Sequence, residues 1–475
     1  MKNSLLVILA ALIFSCGPRS ALPMESPGEQ VTATMYLTTA DSTQRLARQE
    51  LPESAGDPID SVLITIKPTE RYQTMQGFGF TLTGGSAELI HVLPDDQRGD
   101  LLNELFGQEG ESIGISYLRL SLGASDLDAE VFSYNDLPAG QQDPKLERFS
   151  LDPDRDHLIP VLKEILGINP EIKLMASPWS PPVWMKDNGS SKGGSLLPEY
   201  YPVYAQYFVR YIEGMAAEGI PIDAVTVQNE PLHPGNNPSL LMLAEDQATF
   251  VGEHLGPAFA AAGLDTRIVV YDHNADRPDY PITVLNDERA RPYVDGAAFH
   301  LYGGVIEDIA QVHDAFPDKH LYFTEQWIGA PGNFAEDLKW HVRELIVKAP
   351  RHWSETVLEW NLAADENQDP HTEGGCTRCL GALTIDGDRI QRNTAYYIIA
   401  HASRFVPPGS VRIGSNVPAG LPNVAYERPD GAVVVIVLND TAADRDMHFR
   451  LGTRTHGSRL PAGSAATVVL PGNAG

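Results

Sequence analysis

Positive charge is in short supply. The 475 residues carry 35 Lys and Arg against 63 Asp and Glu, a formal net charge of −28. So acidic a chain has little with which to neutralise phosphates, which argues against nucleic-acid binding, and it gains nothing from anionic lipid for the same reason. Long apolar runs are missing too. Beyond the N-terminus no stretch of about 18 apolar residues occurs, so no other segment reads as a membrane span. The chain has no short internal repeat, no P-loop and no His-Glu-x-x-His zinc motif. What it does have is 43% hydrophobic and 8% aromatic residues, enough to bury a core.

The N-terminus reads as an address. Lys2 precedes an apolar run from Leu5 to Phe14, followed by Ser15, Cys16, Gly17 and Pro18. A positive start, a run too short to span and a small residue at the break predict a secretory signal over 1–16. Ile13-Phe14-Ser15-Cys16 is similar to the bacterial lipobox, so Cys16 is the candidate for lipidation; the other reading is an ordinary residue lost with the signal. Residues 17–35, rich in Pro, Ser, Glu and Gly, read as a tether. The expected location is therefore outside the cytoplasm, at a membrane surface if Cys16 is lipidated.

Cysteine is scarce, three residues in all. After Cys16 come Cys376 and Cys379, separated by Thr377-Arg378. A local disulfide, a redox pair and a metal site are the readings. Zinc needs four ligands and only His371 lies close by, and no thioredoxin-like βαβ unit surrounds the pair. An exported chain favours the disulfide.

Along the chain, short apolar runs alternate with segments of helical periodicity. The predicted strands are Gln76–Phe80, Ile115–Leu120, Ile172–Ser177, Ala224–Asn229, Arg267–Asp272, Asp295–His300, His320–Glu325 and Thr356–Asn361. Helices are expected between them, for example at Tyr201–Glu218, Glu245–Ala262, Phe334–Val347 and Asn393–Arg404. Eight such units over 71–403 predict an α/β fold, a (β/α)₈ barrel with enlarged loops; an open doubly wound sheet is the alternative. The ends differ. Ser61–Lys67 alternates, while Ala432–Leu438 and Ala466–Leu470 are continuous apolar runs among turn signals. The prediction is a β-sandwich built from 404–475 together with strands from 36–70.

In such a barrel the working groups sit at the C-terminal ends of strands. Strand four runs into Gln228-Asn229-Glu230-Pro231 and strand seven into Thr324-Glu325-Gln326-Trp327. Two carboxyls across a polar cleft are the minimum equipment for glycosidic cleavage. Trp179 after strand three, His300 and Tyr302 at strand six, Trp327 after strand seven and Trp360 in strand eight offer aromatic faces to a sugar ring. A non-catalytic glycan-binding protein could use the same aromatics. A lyase or aldolase would want a strand-end Lys, and none is found. Asp272-His273-Asn274-Ala275-Asp276 is a weak metal candidate.

The segments Gln76–Thr83, Leu118-Arg119-Leu120-Ser121, Ser125-Asp126, Ala176–Pro182, Thr226–Pro231, Phe299–Tyr302, Phe323–Glu325, Trp360-Asn361-Leu362 and Arg404–Ser410 together resemble glycoside hydrolase family 30. The resemblance covers most of 71–415, and the Asn-Glu-Pro and Ser-Pro-Trp-Ser-Pro-Pro pieces are specific in combination. It implies a retaining β-glycosidase with Glu230 as acid/base, Glu325 as nucleophile and Asn229 at the sugar 2-hydroxyl. Arg119 and Asp126 would bind and orient, and Trp179, His300, Tyr302, Trp327 and Trp360 would line the subsite. No metal or cofactor is implied, and the expected partner is a neutral β-glucan or glucoside met by a monomer. The Gly374–Gly381 loop is similar to bacterial members associated with β-1,6-glucan, which favours a β-1,6-glucanase over the family's glucosylceramidases.

Overall fold

The eight apolar runs close into one barrel. In the computed structural model, which describes Met1, residues 32–54 and residues 61–472, the barrel strands are Gly77–Leu82, Tyr117–Ser121, Lys173–Ser177, Ala224–Thr226, Arg267–Asn274, Val294–His300, His320–Glu325 and Ser354–Asn361. Each pairs in parallel with its neighbours in chain order, and the eighth pairs with the first. Strands buried on both faces are mostly apolar, which is why they stand out as short runs. Cys16, the signal and the tether up to residue 31 lie outside the described residues. Among the described residues no helix is long and apolar enough to cross a membrane.

The barrel interior is layered. Tyr117, Met175, Ala224, Val269, Ala298, Tyr322 and Leu358 form one buried apolar cluster. Two residues further along their strands come Arg119, Ser177, Thr226, His300 and Thr324, all buried and polar. Side chains two apart share a face, so this polar layer lies directly above the apolar one, toward the mouth. Strand five breaks the alternation. Val270 and Tyr271 both pack in the outer core, whereas Asp272 points inward. A register shift between Tyr271 and His273 accompanies left-handed backbone at two successive residues, Tyr271 (φ 73°) and Asp272 (φ 70°). Such a bulge reverses which face the next side chains occupy, at a cost of roughly 1–3 kcal/mol per strained residue. The N–H of Tyr271 is recovered by the side chain of Gln247, at 2.9 Å, and the carbonyl of Asp272 by the N–H of Glu230, also at 2.9 Å.

The second sheet has nine strands in the order 47–51, 33–38, 465–470, 433–438, 423–427, 411–415, 62–74, 445–451 and 454–460. Its edges approach each other, with Ser54 donating its N–H to Thr455 O at 2.7 Å. It curls around its own core, which includes Met35, Ile64, Val435, Phe449 and Val468. This is the sandwich, with strands from both ends of the chain. Two boundaries move. The strand Ala33–Thr38 takes the last residues of the predicted tether, because Ala33, Met35 and Leu37 alternate inward. The strand Val62–Thr74 runs past residue 70, because its exposed polar half still pairs through its backbone with Val411 and Ile413.

Several side chains fasten barrel to sandwich, Arg343 through Asp440 and Arg351 through Ser415 among them, and one is a buried histidine. His401, on the helix Thr394–Ser403, is fully buried and meets Thr467 Oγ1 through Nδ1 and Thr38 Oγ1 through Nε2, each at 2.9 Å. The Thr467 hydroxyl donates to His401 O, so it accepts from Nδ1–H, and Nε2 is the acceptor. Burial pushes this imidazole down to about 3 from 6.5. A base with a depressed folded pKa binds more protons when unfolded, so its stabilisation is complete above pH 6.5 and is lost as pH falls toward 3. Between pH 6.5 and pH 4 this group should cost roughly 3 kcal/mol of unfolding free energy. Urea titrations across that range should show a shallower pH slope in His401→Asn than in the native chain.

Candidate active site

The polar layer converges on Asp272. Its Oδ1 accepts from Thr324 Oγ1 (2.7 Å) and His300 Nε2 (3.0 Å), and its Oδ2 from Thr226 Oγ1 (2.7 Å) and Arg119 Nη2 (2.8 Å). Burial alone would raise this carboxyl, but the Arg119 charge and the His300 hydrogen bond hold it far below the ordinary range. Four donors saturate both oxygens, so the metal reading of Asp272–Asp276 is not needed to explain this residue. Among the described residues, the group of ionisable side chains close enough to share a cation is Glu230, His300 and Glu325.

Arg119 reads out what Asp272 anchors. Its Nε donates to Ser177 Oγ (3.1 Å), one terminal nitrogen to Glu325 Oε2 (2.6 Å) and the other also to Asn229 Oδ1 (2.6 Å). The guanidinium lies over the faces of Trp179 and Trp360, 4.9 and 5.7 Å from the ring centroids. One side chain thereby sets the positions of the candidate nucleophile, its amide neighbour and two indoles. Glu325 Oε1 also accepts from Tyr302 OH at 3.0 Å. Glu230 follows strand four in left-handed backbone (φ 44°), which turns its side chain toward the axis, and its Oε1 lies 3.2 Å from His300 Nδ1.

The electrostatics bind the pair into one unit. Burial would strip His300 of its proton, but the surrounding Glu325, Asp272 and Glu230 raise it to about 9, so it is an imidazolium at neutral pH. Both ring nitrogens then donate, Nε2 to Asp272 and Nδ1 to Glu230. Burial raises Glu230, yet the His300 hydrogen bond and charge outweigh it and hold this carboxyl low. Glu325 goes the other way: burial, with the charges of Glu230 and Asp272, wins over His300 and Arg119 and raises it. The two carboxyls thus titrate as a pair that retains one proton after the first is lost. Asp126 completes the charge pattern, pushed up to about 7 by burial and by Glu325.

Above this layer opens a cleft of about 420 Å³. Asp126, Trp179, Asn229, Glu230, Tyr302, Glu325, Trp327, Trp360, Cys376 and Cys379, each picked out from the sequence, line it. Two predicted residues do not. Arg119 and His300 are fully buried beneath the floor, because the polar layer needs their charge to balance Asp272, and they act through the carboxylates they hold. Cys376 and Cys379 are joined as a disulfide that packs with Trp179, Trp360, Trp327 and Leu127. The Asp126 carbonyl accepts the N–H of Thr372 (3.0 Å), which seats this loop on the cleft. The strand pair Ile328–Gly329 and Cys379–Leu380 ties the loops after strands seven and eight together. Of the four further lining residues, sequence reasoning left His233 and Asn236 unassigned and named His273 and Asn274 only within the Asp272–Asp276 segment after strand five.

Comparison with known proteins agrees over nearly the whole chain. A family model described as the glycosyl hydrolase family 30 TIM-barrel domain matches residues 75–406, and one described as that family's beta sandwich domain matches 409–468. The Endo-1,6-beta-D-glucanase neg1 of Aspergillus fumigatus is 32% identical over 474 residues, covering 93% of this chain and 95% of its own. An Endo-1,6-beta-D-glucanase of Neurospora crassa is 33% identical over 429 residues, covering 85% and 88%. The solved structure of the endo-beta1,6-glucanase BT3312 superposes with a TM-score of 0.85 at 36% identity, covering 92% of this chain and 99% of that one.

Proposed function

The chain belongs to glycosyl hydrolase family 30, and on that premise we propose that it cleaves β-1,6-linked glucan with retention of configuration. Glu325 attacks the anomeric carbon, and Glu230 acts first as acid and then as base. The observation that carries this reading is the carboxylate pair, whose nearest oxygens lie within 4.8 Å of one another. A nearest-oxygen distance below 4.8 Å favours the closer spacing of retaining pairs, roughly 5–5.5 Å between carboxyls, over the roughly 6.5–9.5 Å that admits a water in inverting ones. The linkage rests on the relatives, which are named as β-1,6-glucanases.

Attack by Glu325 forms a glycosyl ester and breaks the bond to the leaving oxygen, which takes the proton of Glu230. Arg119 and Tyr302 engage both Glu325 oxygens, so the carboxylate is held in one orientation before the sugar arrives. Water then gives a proton to Glu230 and its oxygen to the anomeric carbon, releasing Glu325. Because the Asn229 carbonyl is taken by Arg119, its amide nitrogen is left to donate to the sugar 2-hydroxyl, a bond that strengthens as positive charge develops on the ring. Trp179 and Trp360, stacked at 5.4 Å, offer the apolar face.

Product analysis tests this. Incubation with β-1,6-, β-1,3- and β-1,4-glucans and with glucosylceramide should release a ladder of short oligosaccharides from the β-1,6 polymer alone, with the β-anomer appearing first by NMR. Glucose as the sole early product, comparable cleavage of the ceramide, or an α-anomer would each overturn a part of the reading.

A further inference from the structure

The two sides of the cleft differ in chemistry. Around Arg119 and Glu325 the wall is aromatic and apolar: Trp179, Trp327, Trp360 and the disulfide. Around Glu230 it is polar. His273 Nε2 lies 3.8 Å from Glu230 Oε1, and His233 acts on the charge of both Glu230 and His273. Asn236, three residues after His233, and Asn274, next to His273, also line the cleft.

These polar groups are unspent. The side chains of His233 and Asn236 make no hydrogen bond among the described residues. Asn274 uses its Oδ1 to accept the N–H of Tyr302 at 2.9 Å, which leaves its amide nitrogen to donate. His273 is 93% buried, and its Nδ1 is enclosed without any partner. A buried N–H with nothing to donate to is rarer than an unfilled acceptor, so Nδ1 carries the lone pair and the proton sits on Nε2, facing Glu230 and the cleft. His273 is uncharged, so it can donate this hydrogen without repelling the proton that Glu230 must carry.

Acid catalysis fixes which half of the substrate belongs here. Glu230 protonates the leaving oxygen, so the leaving group lies on its side, away from Glu325. We infer that His233, Asn236, His273 and Asn274 form the subsite of the leaving group, and that it is built for a hydroxylated sugar residue rather than an alkyl or ceramide chain. The inference rests on the Glu230 and Glu325 assignment and adds to it the class of leaving group. Donors of this kind meet hydroxyl oxygens; for a hydrocarbon they would be stripped of water with nothing in return. The same subsite serves in reverse. When Glu325 carries a glycosyl group, a sugar bound here competes with water for it, its hydroxyl giving a proton to Glu230 and forming a new glycosidic bond.

The test compares leaving groups within each variant. In Asn236→Ala and His273→Ala, kcat/KM for a β-1,6-linked gluco-oligosaccharide should fall about 10-fold further than kcat/KM for an octyl or activated aryl β-glucoside. Transfer from the aryl glucoside to added β-1,6-linked glucobiose should fall relative to hydrolysis by a similar factor, a partition ratio that general loosening of the fold would not move. His273→Gln, which keeps a donor, should recover part of both. Equal losses on sugar and octyl leaving groups, or an unchanged transfer ratio, would overturn the subsite. If native protein turned over none of these substrates, the glycosidase reading itself would fail, a separate outcome.

Discussion

Glu325→Gln should lose hydrolysis of every β-glucoside by about 10⁴-fold or more, because no other group stands where the anomeric carbon must be attacked. Glu230→Gln should split its effect by leaving group. On glucan, where the departing oxygen needs a proton, the loss should be about 10²–10⁴-fold. With an activated aryl glucoside the first step needs no acid, so the glycosyl-enzyme should form in a burst and then stall. Azide needs no base and should restore turnover in Glu230→Gln, giving the β-glycosyl azide. Any azide product of the Glu325 variant should be the α-anomer, formed from the opposite face. Exchange of these two products would reverse the assignment, and near-native rates in both variants would sink it. Both substitutions keep the size of the side chain, and Arg119 keeps Asp272 as its counter-ion, so melting temperatures should stay close to native.

Removal of Arg119 should be the most damaging single change to the barrel. Arg119→Met leaves Glu325 without its closest donor and Asp272 with one cation in place of two, all within a buried layer. Breaking a buried pair in this way costs roughly 3–5 kcal/mol. Activity should fall about 10³-fold even at temperatures where the variant is folded, because Asn229, Glu325 and both indoles take their positions from the same guanidinium. Without that charge Glu325 should rise further, so the acidic limb of kcat/KM should move to higher pH, a shift that mere loosening would not produce. Arg119→Lys restores charge but cannot reach Ser177, Glu325, Asn229 and Asp272 together, so it should recover more stability than activity. A Lys variant with native kcat/KM would show that the branched contacts are dispensable.

The barrel was legible because parallel strands buried on both faces leave unbroken apolar runs, and all eight predicted runs coincide with barrel strands to within a few residues. Asn229, Arg119 and Asp126 came from the family resemblance, whereas Glu230, Glu325 and the aromatic residues followed from one rule, that strand ends face the mouth. The same reasoning failed at strand five. A regular strand puts Asp272 outside, and nothing in Val269-Val270-Tyr271-Asp272 announces a bulge, because the bulge is held by partners distant in sequence, Gln247 and Glu230. Hence Asp272, the central anchor of the site, and His273 beside it were read only as part of a weak metal candidate. Nor did the spacing of Cys376 and Cys379 reveal that their loop folds back over the cleft; that depends on its docking on Asp126 and on the strand pair with Ile328–Gly329.

A sheet assembled from both ends of the chain also imposes a timetable. The strand Ala33–Thr38 pairs with Ala465–Leu470, about 430 residues later. At the roughly 5–20 residues per second of synthesis, the first strand waits some 20–90 s for its partner. Throughout that interval it has only the nearby strand Ala47–Leu51 to pair with on one edge. The barrel, whose neighbours all follow one another in order, can close before the last strand exists. Maturation therefore ends at the sandwich, and an interrupted chain would carry a finished catalytic cleft beside an unfinished sheet.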